Sequence, residues 1–232
     1  MDIASQTCRW PAAIVFDLDG TLVDSAPDIA LALNRLLAAE RLPACSVEET
    51  VGFVGGGIAS LVEQAFKARG SLSGRDLSRL VARYSELYGG ALTAQTREYA
   101  GVSHLLRRLR SSGIQLGLCT NKEQSLAERI VSDLALDGFF NVIVGGVADR
   151  IQKPSPIPLL HTISLLGVTP DQAVMVGDSI ADIRCAEAAG VAFLGVSFGY
   201  SRPPLRDLGA KVVIDCFSEF DAACQASRGN FR

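Results

Sequence analysis

The chain has 232 residues, 48% of them hydrophobic and 20% charged, and its 22 Lys and Arg against 25 Asp and Glu give a formal net charge of −3. This length is typical of one large domain or two small ones that fold without disulfides, metals or oligomerisation, which leaves monomer and homodimer both open. The balanced charge argues against nucleic-acid and membrane-surface partners. Apolar runs such as 12–16 and 191–196 are far shorter than the ~20 residues of a membrane-spanning helix, so we expect a soluble protein.

Residues 1–13 lack a basic stretch followed by an apolar one, so we predict no secretory signal and a cytoplasmic location. The cysteines have neither CxxC spacing nor the spacing of a zinc site, and we expect reduced thiols. They are Cys8, Cys45, Cys119, Cys185, Cys216 and Cys224. His104 and His161 have no acidic or cysteine neighbours at ligand spacing, and we interpret both as structural.

The first predicted element is a strand at Ala13–Phe16, a short apolar run typical of a parallel strand buried on both faces. From about residue 25 to about residue 99 the pattern is helical throughout. Ser25 and Asp28 have the S-x-x-D form of a capping box, and Ser46 opens a second helix in the same way. Further helices are predicted at 58–68 and 73–88. We predict a helical cap domain at 23–98, inserted into a core domain formed by 1–22 and 99–232.

Beyond the insertion, apolar runs alternate with amphipathic segments. Strands are predicted at 115–119, 142–144, 173–176, 192–196 and 211–214, and helices at 103–110, 126–134 and 158–166. Glycines stand where helices are expected to stop, at Gly113, Gly138, Gly167 and Gly190. The alternation predicts a doubly wound, mostly parallel α/β sheet.

Two carboxylates, Asp17 and Asp19, precede Gly20 where the first strand ends. In open α/β sheets, ligands bind beyond the carboxyl ends of the strands, so we expect both acids to face one crevice. A plain turn is the alternative interpretation, because Asp and Gly are common turn residues.

Polar residues also follow the second and third strands. Thr120 and Asn121 can hydrogen-bond an anion, although Thr120–Glu123 also fits a T-x-x-E capping box. Lys153 precedes Pro154, which stiffens its loop, although a lone lysine is usually just solvated.

The fourth run ends at Asp178, and Ser179 and Asp182 beyond it fit the capping box of the next helix. A buried Asp178 in the same crevice as Asp17 and Asp19 is unfavourable unless a positive group joins them. Three acids and a lysine indicate a hard divalent cation, and oxygen ligands with a phosphate partner favour Mg²⁺ over zinc. Because each alternative explains one segment alone, the recurrence of polar groups at one end of the sheet favours a functional site.

These four segments resemble the four motifs of the haloacid dehalogenase superfamily. The matching residues are Asp17–Thr21, Thr120–Asn121, Lys153 and Gly177–Asp182. The resemblance covers nearly the whole chain, including a cap between the first two motifs and a Rossmann-like core. Segments 16–28, 153–160 and 176–190 are similar to phosphoglycolate phosphatases in particular.

The resemblance implies a Mg²⁺-dependent phosphatase for a small phosphorylated metabolite, with 2-phosphoglycolate the preferred candidate. It implies that Asp17 attacks phosphorus and forms a phosphoaspartate, while Asp19 protonates the leaving alcohol and then activates water. Mg²⁺ is then bound by Asp17, Asp178 and the backbone carbonyl of Asp19. Gly20, Thr120, Asn121 and Lys153 surround the phosphoryl group, with Asp182 and Ser179 in support.

Two other functions stay open at this point. A phosphosugar mutase of the β-phosphoglucomutase kind has the same four motifs, and a receiver-like signalling module also carries a phospho-accepting Asp and a Lys. Asp19 argues against a dehalogenase, which needs no proton for its leaving group. The glycine-rich loop at 52–57 is either an interhelical turn or a substrate-facing loop of the cap.

Overall fold

The computed structural model describes residues 10–147 and 151–228. Its strands are β1 (Ala13–Phe16), β2 (Val23–Asp24), β3 (Arg97–Glu98), β4 (Gln115–Glu123), β5 (Val142–Gly146), β6 (Ala173–Gly177), β7 (Ala192–Val196) and β8 (Val213–Ile214). Its α-helices are α1 (Ala26–Ala39), α2 (Val47–Val51), α3 (Gly57–Ala68), α4 (Leu77–Gly89), α5 (Val102–Ser111), α6 (Gln124–Asp133), α7 (Ile157–Leu165), α8 (Ile180–Ala189) and α9 (Phe220–Ser227). The expectation of a reduced thiol at Cys8 lies outside the described residues.

Six of the strands form one parallel sheet in the order β5-β4-β1-β6-β7-β8. Alternate residues of β1 face opposite sides, and both sides are buried. Ile14 and Phe16 pack in a core with α5, α6 and α9, whereas Ala13 and Val15 pack in a second core with α7 and α8. The predicted doubly wound parallel sheet is confirmed. No helix among the described residues has the length and apolar composition needed to cross a bilayer.

Four helices, α1 to α4, lie between β2 and β3, which pair as an antiparallel ribbon at the base of this insertion. The insertion shares its hydrophobic core with one face of the sheet: Leu33 of α1, Phe66 of α3 and Tyr84 of α4 belong to the same cluster as Phe16. The ribbon falls at the predicted linkers, and the domain boundaries at residues 23 and 98 stay a prediction.

The predicted capping box at the start of α1 is wrong. Ser25 has helical backbone angles and makes no side-chain capping bond; the Tyr200 hydroxyl accepts the N–H groups of Ser25 and Ala26 instead. The Asp28 carboxylate accepts the Thr96 amide and hydroxyl, at 2.7 and 2.8 Å, which ties α1 to the end of the insertion. Tertiary partners therefore replace the local capping bonds.

Glycine ends three predicted helices but not the fourth. Gly113, Gly167 and Gly190 have positive φ angles as expected. The helix expected to stop at Gly138 ends earlier, because Ala135 takes the left-handed conformation (φ 56°) two residues after α6. Ser46 caps α2 as predicted and accepts the Glu49 amide at 3.0 Å.

Candidate active site

The polar residues singled out in the sequence meet at the carboxyl edge of the sheet. Asp17 follows β1, Asp178 follows β6, and Thr120 and Asn121 lie within β4, which continues past the predicted end at Cys119. A cavity of about 350 Å³ separates this edge from the helical insertion. The capping-box alternative for Thr120 is wrong, because Glu123 precedes α6 and makes no side-chain capping bond.

A buried carboxylate cluster occupies the floor of the site. Asp17, Asp178 and Asp182 each offer an oxygen, and these oxygens lie within 4.8 Å of one another. The Asp19 carboxylate, expected from the residues alone to share a cation with Asp17 and Asp178, lies outside this cluster. The chain bends at Leu18, and Asp19 binds Lys122 and Ser25 instead.

Two glycines make room for Asp178. A Cβ at Gly20 would lie 2.3 Å from Asp178 Oδ2, and one at Gly199 would lie 2.3 Å from the Asp178 Cβ. Gly20 also has a φ of +80°, which favours glycine. Its amide donates to the Val23 carbonyl at 2.9 Å. Gly20, expected among the substrate-binding residues, therefore contributes space for Asp178 within a closed turn rather than a free hydrogen-bond donor.

The cluster fits a divalent cation. Its ligands are all oxygens, and oxygens that share a cation at 2.0 to 2.6 Å lie roughly 3 to 5 Å apart. Burial raises the pKa of Asp17 to about 6, with Asp182 and Asp19 adding to the rise and Lys153 opposing it. Burial, Asp182 and Asp17 raise the pKa of Asp178 well above its ordinary value. A bound cation would favour the ionised carboxylates that this environment disfavours.

Lys153 is the buried cation beside this cluster. Its Nζ lies 2.6 Å from Asp182 Oδ1, 3.0 Å from Asp17 Oδ1 and 2.8 Å from the Cys119 carbonyl. Burial disfavours its charge, but Asp17 and Asp182 outweigh burial and raise the pKa of Lys153. Lys153 is therefore charged and fixed behind Asp17.

The predicted capping box of α8 is present, with Ser179 as the N-cap residue. Asp182 Oδ2 accepts the Ser179 amide and hydroxyl at 3.0 and 2.6 Å, while Oδ1 binds Lys153. Because both oxygens are occupied, Asp182 is suited to holding Lys153 in place.

The Asn121 side chain connects two loops. Its Nδ2 donates to the Gly55 carbonyl at 2.8 Å and to the Lys153 carbonyl at 2.9 Å, and its Oδ1 accepts the Lys153 amide. The glycine-rich loop at 52–57 is thereby tied to β4, and several of its residues line the cavity. Of the two interpretations of this loop, the substrate-facing one agrees with its position.

Sequence reasoning missed two residues that shape the site. Lys122 Nζ lies 3.0 Å from both oxygens of Asp19 and 2.8 Å from the Tyr88 hydroxyl. The Tyr200 amide donates to Asp178 Oδ2 at 2.7 Å, and its hydroxyl donates to Asp24. The position of Lys122 directly after Thr120 and Asn121 was a usable signal. No local sequence pattern identifies Tyr200, because its partners are far away in the sequence.

Metal affinity is expected to fall as the pH is lowered through about 6. The pKa of Asp17 is raised to about 6, and a protonated carboxyl is a poor metal ligand. Calorimetric titration with Mg²⁺ at pH 7.5 and pH 5.0 measures the difference. The exposed Asp137 provides a control, since Asp137→Asn is expected to keep the same pH dependence. An affinity that is equal at both pH values contradicts a role for Asp17 as a ligand.

Comparison with known proteins agrees with this geometry. A family model for haloacid dehalogenase-like hydrolases matches residues 14–196. A phosphoglycolate phosphatase from Caulobacter vibrioides is 37% identical over 92% of this chain and 90% of its own length. One from Rhodospirillum rubrum is 40% identical over 90% of this chain and 88% of its own length.

The fold agrees as well. A crystal structure of a predicted phosphoglycolate phosphatase from Haemophilus somnus superposes with a TM-score of 0.85 at 30% identity, covering 90% of this chain and 96% of the other. On the family match, these relatives and the shared architecture, the chain belongs to the haloacid dehalogenase-like hydrolase family.

Proposed function

We propose that this chain is a Mg²⁺-dependent phosphatase that hydrolyses 2-phosphoglycolate through a phosphoaspartate on Asp17. The choice of substrate rests on the relatives named phosphoglycolate phosphatase, because each aligns with this chain over about nine-tenths of both lengths. The cluster of buried acids beside a cavity, with Lys153 behind Asp17, supports the chemistry. A small substrate is consistent with a cavity of about 350 Å³.

The first step is attack by an Asp17 carboxylate oxygen on phosphorus, which breaks the bond to the leaving oxygen. Asp19 gives its proton to that oxygen, which becomes the hydroxyl group of the glycolate that leaves. Lys153 orients Asp17, and Thr120, which lines the cavity, is assigned to the phosphoryl oxygens. Water then attacks the phosphoaspartate, and Asp19 takes the proton from that water.

Asp17, Asp178 and the backbone carbonyl of Asp19 would hold the cation. When bound, it neutralises the charge that accumulates on the transferring phosphoryl group. The oxygen-only set of ligands favours Mg²⁺ over softer metals. Asp182 completes the cluster from the side of Lys153.

The alternatives account for fewer observations. A receiver module has no use for the four inserted helices that cover the phospho-accepting acid. A phosphosugar mutase shares the motifs, but the relatives named here are phosphatases. Cytoplasmic location, lack of nucleic-acid partners and the choice between monomer and homodimer stay predictions.

A phosphate-release screen with Mg²⁺ tests the proposal. The panel contains 2-phosphoglycolate, sugar phosphates, glycolytic acids and nucleoside monophosphates, and we expect the highest kcat/KM for 2-phosphoglycolate. Removal of the cation with a chelator should abolish the activity, and Mg²⁺ should restore it. Interconversion of glucose 1-phosphate and glucose 6-phosphate, or a higher kcat/KM for a sugar phosphate, would contradict the proposed substrate. An Asp17→Asn preparation made in parallel controls for contaminating phosphatases.

A further inference from the structure

Three polar side chains on the cap side of the cavity have no part in the mechanism above. They are Tyr84 and Tyr88 of α4 and Lys122 at the end of β4, and all three line the cavity. The two tyrosine rings stack with their centroids 5.6 Å apart. Lys122 Nζ lies 4.7 Å from the centroid of the Tyr88 ring. The three side chains form one group, which we call the cap-side cluster.

Tyr84 is buried, and its hydroxyl is the first candidate donor of the cap-side cluster. Its residue surface is 1% exposed, and within residues 10–147 and 151–228 its hydroxyl makes no hydrogen bond. Since the hydroxyl is not fully enclosed by protein atoms, it borders the cavity. A polar group taken out of bulk water without a partner is unfavourable, so a ligand atom that accepts its hydrogen bond would be stabilised there.

Tyr88 also keeps a donor available. Its hydroxyl oxygen accepts a hydrogen bond from Lys122, and its own proton has no acceptor among the described residues. A tyrosine hydroxyl can accept and donate at once. Two hydroxyl donors and one ammonium group therefore border the same part of the cavity, which is a donor set suited to an anion.

The position of Lys122 relates this cluster to the leaving group. Lys122 Nζ lies 3.0 Å from both carboxylate oxygens of Asp19. Asp19 is the residue that protonates the oxygen joining phosphorus to the leaving alcohol. In 2-phosphoglycolate a single carbon separates that oxygen from the carboxylate. A substrate whose ester oxygen contacts Asp19 therefore has its carboxylate close to Asp19, the residue that Lys122 binds.

Lys153 and Arg202 are less suited to binding the substrate carboxylate, because Lys153 lies behind the nucleophile and Arg202 is exposed. Lys153 binds Asp17 and Asp182 behind the nucleophile. Arg202 lines the cavity, but its side chain is exposed and donates to the Ser201 carbonyl. Lys122 has 5% side-chain exposure, and its three N–H donors bind the two oxygens of Asp19 and the Tyr88 hydroxyl. When Asp19 turns an oxygen toward the ester, one of those donors is released for another carboxylate.

We propose that Lys122, Tyr84 and Tyr88 form the subsite that binds the carboxylate of the leaving group and so select phosphate esters of small hydroxy acids. The inference rests on the proposed function and names the residues that set its specificity. A role of Lys122 in positioning Asp19 alone predicts a different result, because such a role would affect every phosphate ester equally.

The test compares 2-phosphoglycolate with ethyl phosphate, in which a methyl group replaces the carboxylate. Tyr84→Phe is the sharpest variant, because the lost hydroxyl has no hydrogen-bond partner among the described residues and the ring is retained. We expect kcat/KM for 2-phosphoglycolate to fall about 10-fold, the size typical of a hydrogen bond to a charged group. We expect ethyl phosphate to change less than about 2-fold, and the thermal midpoint to stay unchanged.

Lys122→Met removes the charge and is expected to have a larger effect. The fold-decrease in kcat/KM for 2-phosphoglycolate should be about 100 times the fold-decrease for ethyl phosphate. Lys67→Met, at an exposed lysine of α3, is the matched control and should leave both substrates unchanged.

The outcomes separate the two proposals. If the wild-type protein does not prefer 2-phosphoglycolate to ethyl phosphate, the proposed substrate is wrong. If the wild type has that preference, but Tyr84→Phe and Lys122→Met reduce both substrates by the same factor, the carboxylate subsite is overturned and Lys122 acts through Asp19 alone.

Discussion

Replacing Asp17 with asparagine is expected to lower kcat for phosphate release by at least about 10⁴-fold, as removal of a covalent nucleophile does in other enzymes. An amide cannot attack phosphorus as a carboxylate does, although it has nearly the same shape. The Asp17 side chain is held by the Leu18 amide at 2.7 Å and by Lys153 at 3.0 Å, and an asparagine oxygen can keep both contacts. The loss should therefore concern chemistry rather than folding.

The same variant has a distinct signature in stability. Burial raises the pKa of Asp17 to about 6 from its ordinary value of 3.8. The folded state therefore holds this proton more tightly than the unfolded state, and the contribution of Asp17 to stability falls as the pH rises from about 4 through about 6. Asparagine does not titrate. In the presence of a chelator, Asp17→Asn should gain stability relative to the wild type across this window.

Urea unfolding at pH 4.5 and pH 7, together with a phosphate-release assay, measures both effects. Asp137→Asn, at an exposed aspartate, is the control and should match the wild type in both. Turnover by Asp17→Asn within about 10-fold of the wild type would remove Asp17 from the role of nucleophile. A variant that is inactive because it is unfolded is recognised directly by the loss of its urea transition.

The strands could be predicted because a parallel strand covered on both faces must be apolar along its length. Ala13–Phe16 is such a run, and its partners in β4 and β6 are apolar except Gln115, which pairs with Ala13 at the start of β4. The same rule identifies the residues that follow each strand, which is why Asp17 and Asp178 could be assigned to one edge of the sheet. Ser179 and Asp182 could be predicted because a capping box is formed by neighbours in the sequence.

The remaining parts of the site depend on residues far apart in the chain. Lys122 and Asp19 are 103 positions apart, and Tyr200 lies 174 positions from Ala26, whose amide it accepts. A local pattern at Ser25 and Asp28 gave a wrong prediction for the same reason. Asp28 reaches the Thr96 amide, 68 positions away, and no local pattern contains that partner. Only the fold determines which of two possible partners a polar side chain takes.

Replacing Lys153 with methionine is expected to lower both activity and stability. Lys153 has 2% side-chain exposure and pairs with Asp17 and Asp182. Without it, three carboxylates whose oxygens lie within 4.8 Å of one another lose the lysine that neutralises them from that side. Removal of one member of a buried ion pair costs about 3–5 kcal/mol of unfolding free energy. We expect a loss of that size at pH 7 in the presence of a chelator.

A divalent cation should recover part of this loss. A cation bound by Asp17 and Asp178 supplies the positive charge that the methionine removes, so Mg²⁺ should stabilise Lys153→Met more than it stabilises the wild type. Activity should not recover in parallel, because the cation does not restore the contact that orients Asp17 from behind.

Urea unfolding with and without Mg²⁺ separates the two effects, and Lys67→Met should change the unfolding free energy by less than about 0.5 kcal/mol. If Lys153→Met unfolds below room temperature, Lys153→Arg serves instead. It keeps the charge and should fold, but it should still lose activity, because a planar guanidinium cannot reproduce the contacts of a compact ammonium group with Asp17, Asp182 and the Cys119 carbonyl. Equal stability of Lys153→Met and the wild type in chelator would contradict the charge balance on which the site depends.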